Sequence, residues 1–382
     1  MKILTPNNRI CLTFVLLATF IVLLPNLDNG WVNWDDHKYV LENPLIRSLA
    51  VENIAAIFTQ REFMGNYHPL TLLSLAVDFS LFGLDARGYH ATNLLLHLAN
   101  TALVFWLFTL LGLRSAAAAL VALLFGVHPM HLESVAWISA RKDVLYGLFF
   151  LSGLIAYLNF LLRAESRSKF YIFALVSFAL SLLAKPMAVT FPVILLIIDY
   201  LKKRPDWRKA LLEKAPFFAL SLIFGLVAIF TQQDAEALPG AREIDFFESL
   251  AVSGFSLCVY LFKSIFSVHL SAFHPYPVPP GAPLPWYFYT AGLGLIFFAA
   301  LVFKRIIRDR RIVFGLGFFL VSIAPVLQFL PVGHALHAER YTYIAYLGLF
   351  YLIAVGIEII FKQNKPVSAK HLISTGLKRG AN

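Results

Sequence analysis

Long apolar runs separated by short polar segments dominate the chain. They predict helices over 10–26, 90–112, 115–128, 144–162, 170–184, 187–201, 213–231, 286–303, 312–330 and 341–361. Most of these runs approach the ~20 residues that a helix needs to cross the hydrocarbon core of a bilayer. Helices satisfy their own backbone polar groups in lipid, and the short alternating segments of a β-barrel do not occur. The pattern therefore predicts an all-α polytopic membrane protein. Its first run follows Lys2 and Arg9 and leads into Leu23, Leu24, Pro25 and Asn26. That is not a small-residue cleavage site, so the run reads as a retained helix.

Composition agrees with the pattern. Hydrophobic residues make up 59% of the chain and charged residues 14%, against roughly a quarter charged in soluble domains. The two cysteines, Cys11 and Cys258, lie in apolar runs and read as buried thiols without a disulfide or metal role.

Charge then sets the orientation. The basic residues between the runs cluster at Lys2/Arg9, Arg114, Arg163 to Lys169, Lys202 to Lys214, Lys304 to Arg311, and Lys362 to Arg379. With all six clusters inside, the inner face holds 22 of the 32 Lys and Arg and six acids, a net +16, and leaves −6 outside. This is a strong positive-inside bias. The inner charge meets anionic lipid headgroups, and no nucleic-acid partner is needed to explain it. The segment 246–268 breaks the alternation, because acidic 232–245 and proline-rich 274–285 both belong outside. It is expected to be an interfacial or re-entrant helix on the outer face, carrying Lys263.

Chemistry-bearing residues gather in the outer loops. The first loop, 27–89, holds Trp31, Trp34, the adjacent acids Asp35 and Asp36, and Tyr67-His68-Pro69. After Pro69, Thr71, Ser74 and Asp78 form one polar stripe on an otherwise apolar helix, which suits the membrane interface. A carboxylate held at that level can act as a general base toward a hydroxyl. The second loop reads His128-Pro-Met-His131-Leu-Glu133 and then Arg141-Lys142-Asp143. His131 and Glu133 are two apart and share no helical face, so the spacing gives no metal motif. Lys185, beside Pro186, and Arg340 add cations at the outer boundary, where Arg suits phosphate through paired hydrogen bonds.

Five segments in this order resemble a known family. They are WVNWDDHKYVLENP, NYHPLTLLSLAVDFSLFGLDARGYHATNLLLHLAN, HPMHLESVAWISARKDVLYGLFFL, LLAKPMAVTFPVILLIIDYL and AERYTYIAYLGL. Together they resemble the transmembrane and tetratricopeptide-repeat-containing O-mannosyltransferases and their bacterial relatives, which are C-type (GT-C) membrane glycosyltransferases. The resemblance covers about residues 28–355. It implies a GT-C-like bundle of about 10–11 transmembrane helices over 1–361, and the basic residues beyond it read as a disordered cytoplasmic tail at 362–382. It also implies a polyprenyl-phosphate sugar donor, and a protein or glycan acceptor on the non-cytoplasmic face. Asp35 and Asp36 match the acidic motif of the first loop, with Asp35 best placed as the catalytic acid, and Asp143 matches a second acid. Lys185 and Arg340 match basic positions near the donor phosphate, and His68-Pro69 matches the first-loop HP. The sequence departs from those proteins in showing no tetratricopeptide-length repeat.

The resulting expectation is an inverting glycosyltransferase in a multi-pass membrane, of the bacterial inner-membrane kind, with its site on the periplasmic or outer face. Its catalytic acids are Asp35, Asp36 and Asp143, and its donor-phosphate ligands are Arg141, Lys185 and Arg340. His68, His128, His131 and Glu133 line the substrate pocket. No resident cofactor or metal ligand set is assigned, and a divalent metal is left open. Two alternatives remain, a non-catalytic membrane scaffold and a lipid or sugar transporter. The transporter would carry internal repeats and ionisable residues inside its helices, and most helix interiors here lack charge.

Overall fold

The computed structural model describes residues 5–234, 245–279, 282–328 and 335–363. Its helices are, in order, α1 (Pro6–Leu23), α2 (Val51–Thr59), α3 (Pro69–Phe82), α4 (Ala86–Leu111), α5 (Ser115–Val127), α6 (Leu132–Ala136), α7 (Arg141–Leu162), α8 (Arg167–Ala184), α9 (Phe191–Leu201), α10 (Trp207–Leu212), α11 (Ala215–Asp234), α12 (Phe246–Lys263), α13 (Trp286–Ile306), α14 (Arg310–Ile323) and α15 (Thr342–Gln363). Two short strands, β1 (His274–Pro275) and β2 (Ala335–His337), pair antiparallel. The all-α polytopic architecture is as the apolar pattern predicts.

Local chemistry fixes several helix ends. Thr5 caps α1, with Pro6 in the first turn. Asp85 caps α4, so that helix opens at Ala86 and not at 90. It stops at Gly112, whose φ of +107° suits a residue without Cβ. Pro186 and Pro192 shape the region predicted as a helix over 187–201. Pro186 opens a 3-10 turn, Pro186–Thr190, and α9 itself is only 11 residues long. Likewise α14 stops at Ile323 in a 3-10 turn that contains Pro325, short of the predicted 330.

Among the described residues, eight helices are long and apolar enough to cross a membrane, or nine if α5 and α6, bent by 54°, count as one. The most enclosed of them contains α7, which packs against α4 and α8. Close crossings are built on glycine. A Cβ on Gly348 of α15 would sit 2.2 Å from the carbonyl of Gly315 in α14, and one on Gly254 of α12 would sit 2.6 Å from Gly292 of α13.

Described members of the basic clusters meet at one end of the bundle. Arg114 pairs with Glu358 at 3.0 Å, Arg310 donates to the Tyr200 carbonyl at 2.9 Å, and Lys202 caps the carbonyls of Leu110 and Leu111. Arg204 bridges Glu213 at 2.6 Å and Asp199 at 3.4 Å, and Lys214 pairs with Asp199. Of the predicted tail, 362–382, all but the first two residues, which end α15, lie outside the described residues. Cys11 and Cys258 are unpaired and partly buried.

Helix α12 runs beside the connection between α14 and α15. Midway along it Ser253 donates to the Leu327 carbonyl at 2.5 Å, and at its end Lys263 reaches Glu339 at 2.9 Å. By length and composition the same helix could also span. Impermeant maleimide labelling of a cysteine-free background decides between the two. With α12 on one face, Phe246→Cys and Ile265→Cys label from the same side as Val32→Cys, and Ser166→Cys labels from the other. Labelling of Phe246→Cys and Ile265→Cys from opposite sides would mean that α12 crosses.

Candidate active site

The end of the bundle away from the basic network carries the loop after α1. Trp31 packs edge-on to Tyr89 at 5.1 Å. Asp36 is fully buried. Its Oδ1 accepts from the Ser139 amide at 3.0 Å and from the Ser139 hydroxyl, and its Oδ2 accepts from the Val32 amide at 2.9 Å. The loop is thereby pinned onto the turn Ile138–Ala140 that opens α7. Asp35, its neighbour, lines a cavity of about 760 Å³. Among the described residues no protein group hydrogen-bonds its carboxylate. The two acids differ in role: Asp36 holds the loop, and Asp35 faces open space.

The same cavity is lined by Glu133 and Trp137 from the segment before α7, by Leu270 and Phe273 from the loop after α12, and by Arg340 and Tyr341 before α15. Glu133 grips Arg340 twice, through the Arg340 backbone amide at 2.8 Å and through Nη1. The guanidinium lies 5.4 Å from the Trp137 ring and 5.1 Å from the Tyr341 ring. A fork held in this way is preorganised for an anion. Behind Tyr341, Lys185 sits 5.7 Å from its ring and pairs with Asp143, which is fully buried at the head of α7.

The other predicted site residues lie apart from the cavity lining. Arg141 does not reach the cavity. It is fully buried, with Nη2 bonded to Asp78 at 2.5 Å and to the Tyr89 carbonyl at 3.0 Å, Nη1 to Ser74 at 2.7 Å, and Nε to Asn93. Four of its five N–H donors are taken by α3 and α4, so it is an internal tie between helices. His128 and His131 do not line the cavity either. The Nδ1–H of His131 donates to the Phe125 carbonyl of α5 at 2.9 Å, and His128 contacts the Ser264 carbonyl at the end of α12 at 3.3 Å, so both serve backbone carbonyls. His68 is buried before α3, stacked on Tyr39 at 5.5 Å. Burial, with Lys142 and Lys185 nearby, lowers its pKa to about 3, so the ring is neutral. Of the predicted pocket residues, Glu133 is the one that lines the cavity.

Sequence reasoning missed two features. One is Lys142, whose Nζ lies 3.3 Å from the Tyr39 hydroxyl and 4.8 Å from that ring's centre. Burial, and after it the Asp35 charge, raise the Tyr39 pKa. The other is a cluster around Glu339, a cavity residue whose Oε1 accepts from Lys263 at 2.9 Å and His274 at 2.8 Å. His274 stacks on His337 at 4.0 Å, which ties the 264–275 loop to the head of α15. Its only sequence signal was a lysine closing an apolar helix. Among the described residues, no group of three or more His, Cys, Asp or Glu converges as a metal site.

No family model matches the chain, and no solved structure matches it. Curated relatives do. Protein O-mannosyl-transferase Tmtc1 of Drosophila melanogaster is 31% identical over 179 residues, which is 45% of this chain and 20% of that protein. Protein O-mannosyl-transferase TMTC4 of Homo sapiens is 30% identical over 161 residues, 36% of this chain and 21% of the relative. Protein O-mannosyl-transferase tmtc2 of Xenopus laevis is 40% identical over 94 residues, 25% and 11% of the two chains. The matches thus span about a fifth or less of these relatives' own length. In sequence and in its all-helical membrane architecture, the chain resembles the O-mannosyltransferases of the TMTC type.

Proposed function

We propose that this protein is an inverting glycosyltransferase that moves a sugar from a polyprenyl-phosphate donor to an acceptor hydroxyl on the non-cytoplasmic face. Protein O-mannosylation is the form that its relatives' names favour. The carrying observation is one cavity lined both by Asp35, unbonded by the protein among the described residues, and by Arg340, clamped in place by Glu133. In this reading the acceptor hydroxyl oxygen attacks the anomeric carbon and Asp35 takes its proton. The bond from the anomeric carbon to the phosphate oxygen breaks, and its electron pair leaves with the phosphate. Arg340, with Lys185 behind it, stabilises that charge. One displacement inverts the centre, so no second nucleophilic acid is needed.

The test is sugar transfer by the purified full chain from a panel of polyprenyl-phosphate sugars to hydroxyl-bearing peptides and glycans. Transfer from none of them would end this reading. Arg340→Ala should weaken donor use by about ten- to a hundredfold, the worth of a charged hydrogen bond at a poorly solvated boundary. Adding Glu133→Gln removes the stranded carboxylate, and the loss should persist in that double variant. Donor use restored by Glu133→Gln would assign Arg340 to structure alone.

A further inference from the structure

Charge pairing around the cavity singles out one side chain. Arg340 is neutralised by Glu133, Lys185 by Asp143, Arg141 by Asp78 and Lys263 by Glu339. Lys142 has no carboxylate within 4 Å among the described residues. Its ammonium instead lies between Tyr39 and Trp137, with Nζ 4.8 Å from the Tyr39 ring and 5.9 Å from the Trp137 ring. Lys142 is not itself a lining residue, but it shares the Trp137 ring, which lines the cavity, with the Arg340 guanidinium at 5.4 Å. The buried imidazole of His68, with neither nitrogen hydrogen-bonded among the described residues, feels both Lys142 and Lys185.

We infer that Lys142 supplies the charge that neutralises a phosphodiester in this site. The inference rests on the proposed glycosyl-transfer reading and adds a binding residue to it. An incoming phosphodiester carries one negative charge. A guanidinium already bound to a carboxylate can orient that phosphate through its remaining N–H groups, but contributes little net charge. An ammonium that touches Tyr39 and Trp137, with no carboxylate within 4 Å among the described residues, gains more from an anion than a cation already in contact with an acid, in a poorly solvated place. Its flat aromatic surroundings match a long apolar stem with a polar head.

The test is equilibrium binding of a short-chain polyprenyl-phosphate mannose to the full chain in phosphatidylcholine nanodiscs. Lys142→Met keeps the stem and removes the charge. It should weaken binding about ten- to a hundredfold, flatten the salt dependence, and leave the unfolding midpoint in place. Lys142→Arg should recover most of the affinity. Should the Met variant fail to fold, Lys142→Gln gives the same reading. Wild-type affinity in either neutral variant would overturn the inference while leaving the function standing. Equal displacement of the probe by phosphatidylglycerol would make this a headgroup site and overturn it too. If the wild-type protein binds no probe at all, the glycosyl-transfer reading fails first, and the inference falls with it.

Discussion

Asp35→Asn should transfer sugar at a rate reduced by about 10² to 10⁴, the range expected when a positioned base is lost. The substitution keeps the shape of the side chain and its capacity to hydrogen-bond, but the amide cannot take up the acceptor's proton. Donor affinity and the unfolding midpoint should stay near wild type, because no protein hydrogen bond among the described residues depends on the Asp35 carboxylate. Asp36→Asn makes the informative contrast. Its carboxylate accepts from Ser139 on one oxygen and from Val32 on the other. An amide can accept on one side only and turns an N–H toward the other donor. The loop should loosen at a cost of about 1–3 kcal/mol, visible as a lower midpoint together with slower transfer. Single-turnover rates and thermal unfolding of the two variants separate chemistry from support. Transfer at the wild-type rate by Asp35→Asn would falsify the assignment of the base.

That division between neighbours shows where sequence reasoning stops. The apolar runs located all ten predicted helices, because each had to fill or face lipid along its own length. They misjudged extent where proline intervened, as at α9 and α14, since hydropathy does not register a broken backbone ladder. Asp35 and Asp36 are identical in type and adjacent in sequence. Only Ser139, 103 residues later, reveals that Asp36 points inward. Arg141 and Lys142 form the same kind of pair, and the preference of phosphate for arginine pointed to the member that the fold buries against α3 and α4. Successive residues of a helix project about 100° apart, so one cation enters the α3–α4 contact while the next meets Tyr39. The Lys263–Glu339 pair joins residues 76 apart, and no local pattern marks it.

Arg141→Met should lower stability by about 3–5 kcal/mol, the typical penalty for stripping one partner from a buried ion pair. The guanidinium is fully buried and bonds Asp78, Ser74, Asn93 and the Tyr89 carbonyl, which joins α3 and α4 to the head of α7. Methionine fills much of the volume but leaves the Asp78 carboxylate uncompensated, held by Thr92 at 2.9 Å. Arg141→Lys should recover little, since one ammonium cannot reproduce a fork that serves four partners. Adding Asp78→Asn to Arg141→Met should restore part of the loss, because it removes the stranded charge and leaves the missing contacts missing. Thermal unfolding in nanodiscs measures all three variants. The adjacent substitution gives the opposite signature: Lys142→Met should weaken donor binding with its midpoint intact. An Arg141→Met protein that unfolds with the wild-type midpoint yet binds donor poorly would return Arg141 to the donor site and remove the tie proposed between these helices.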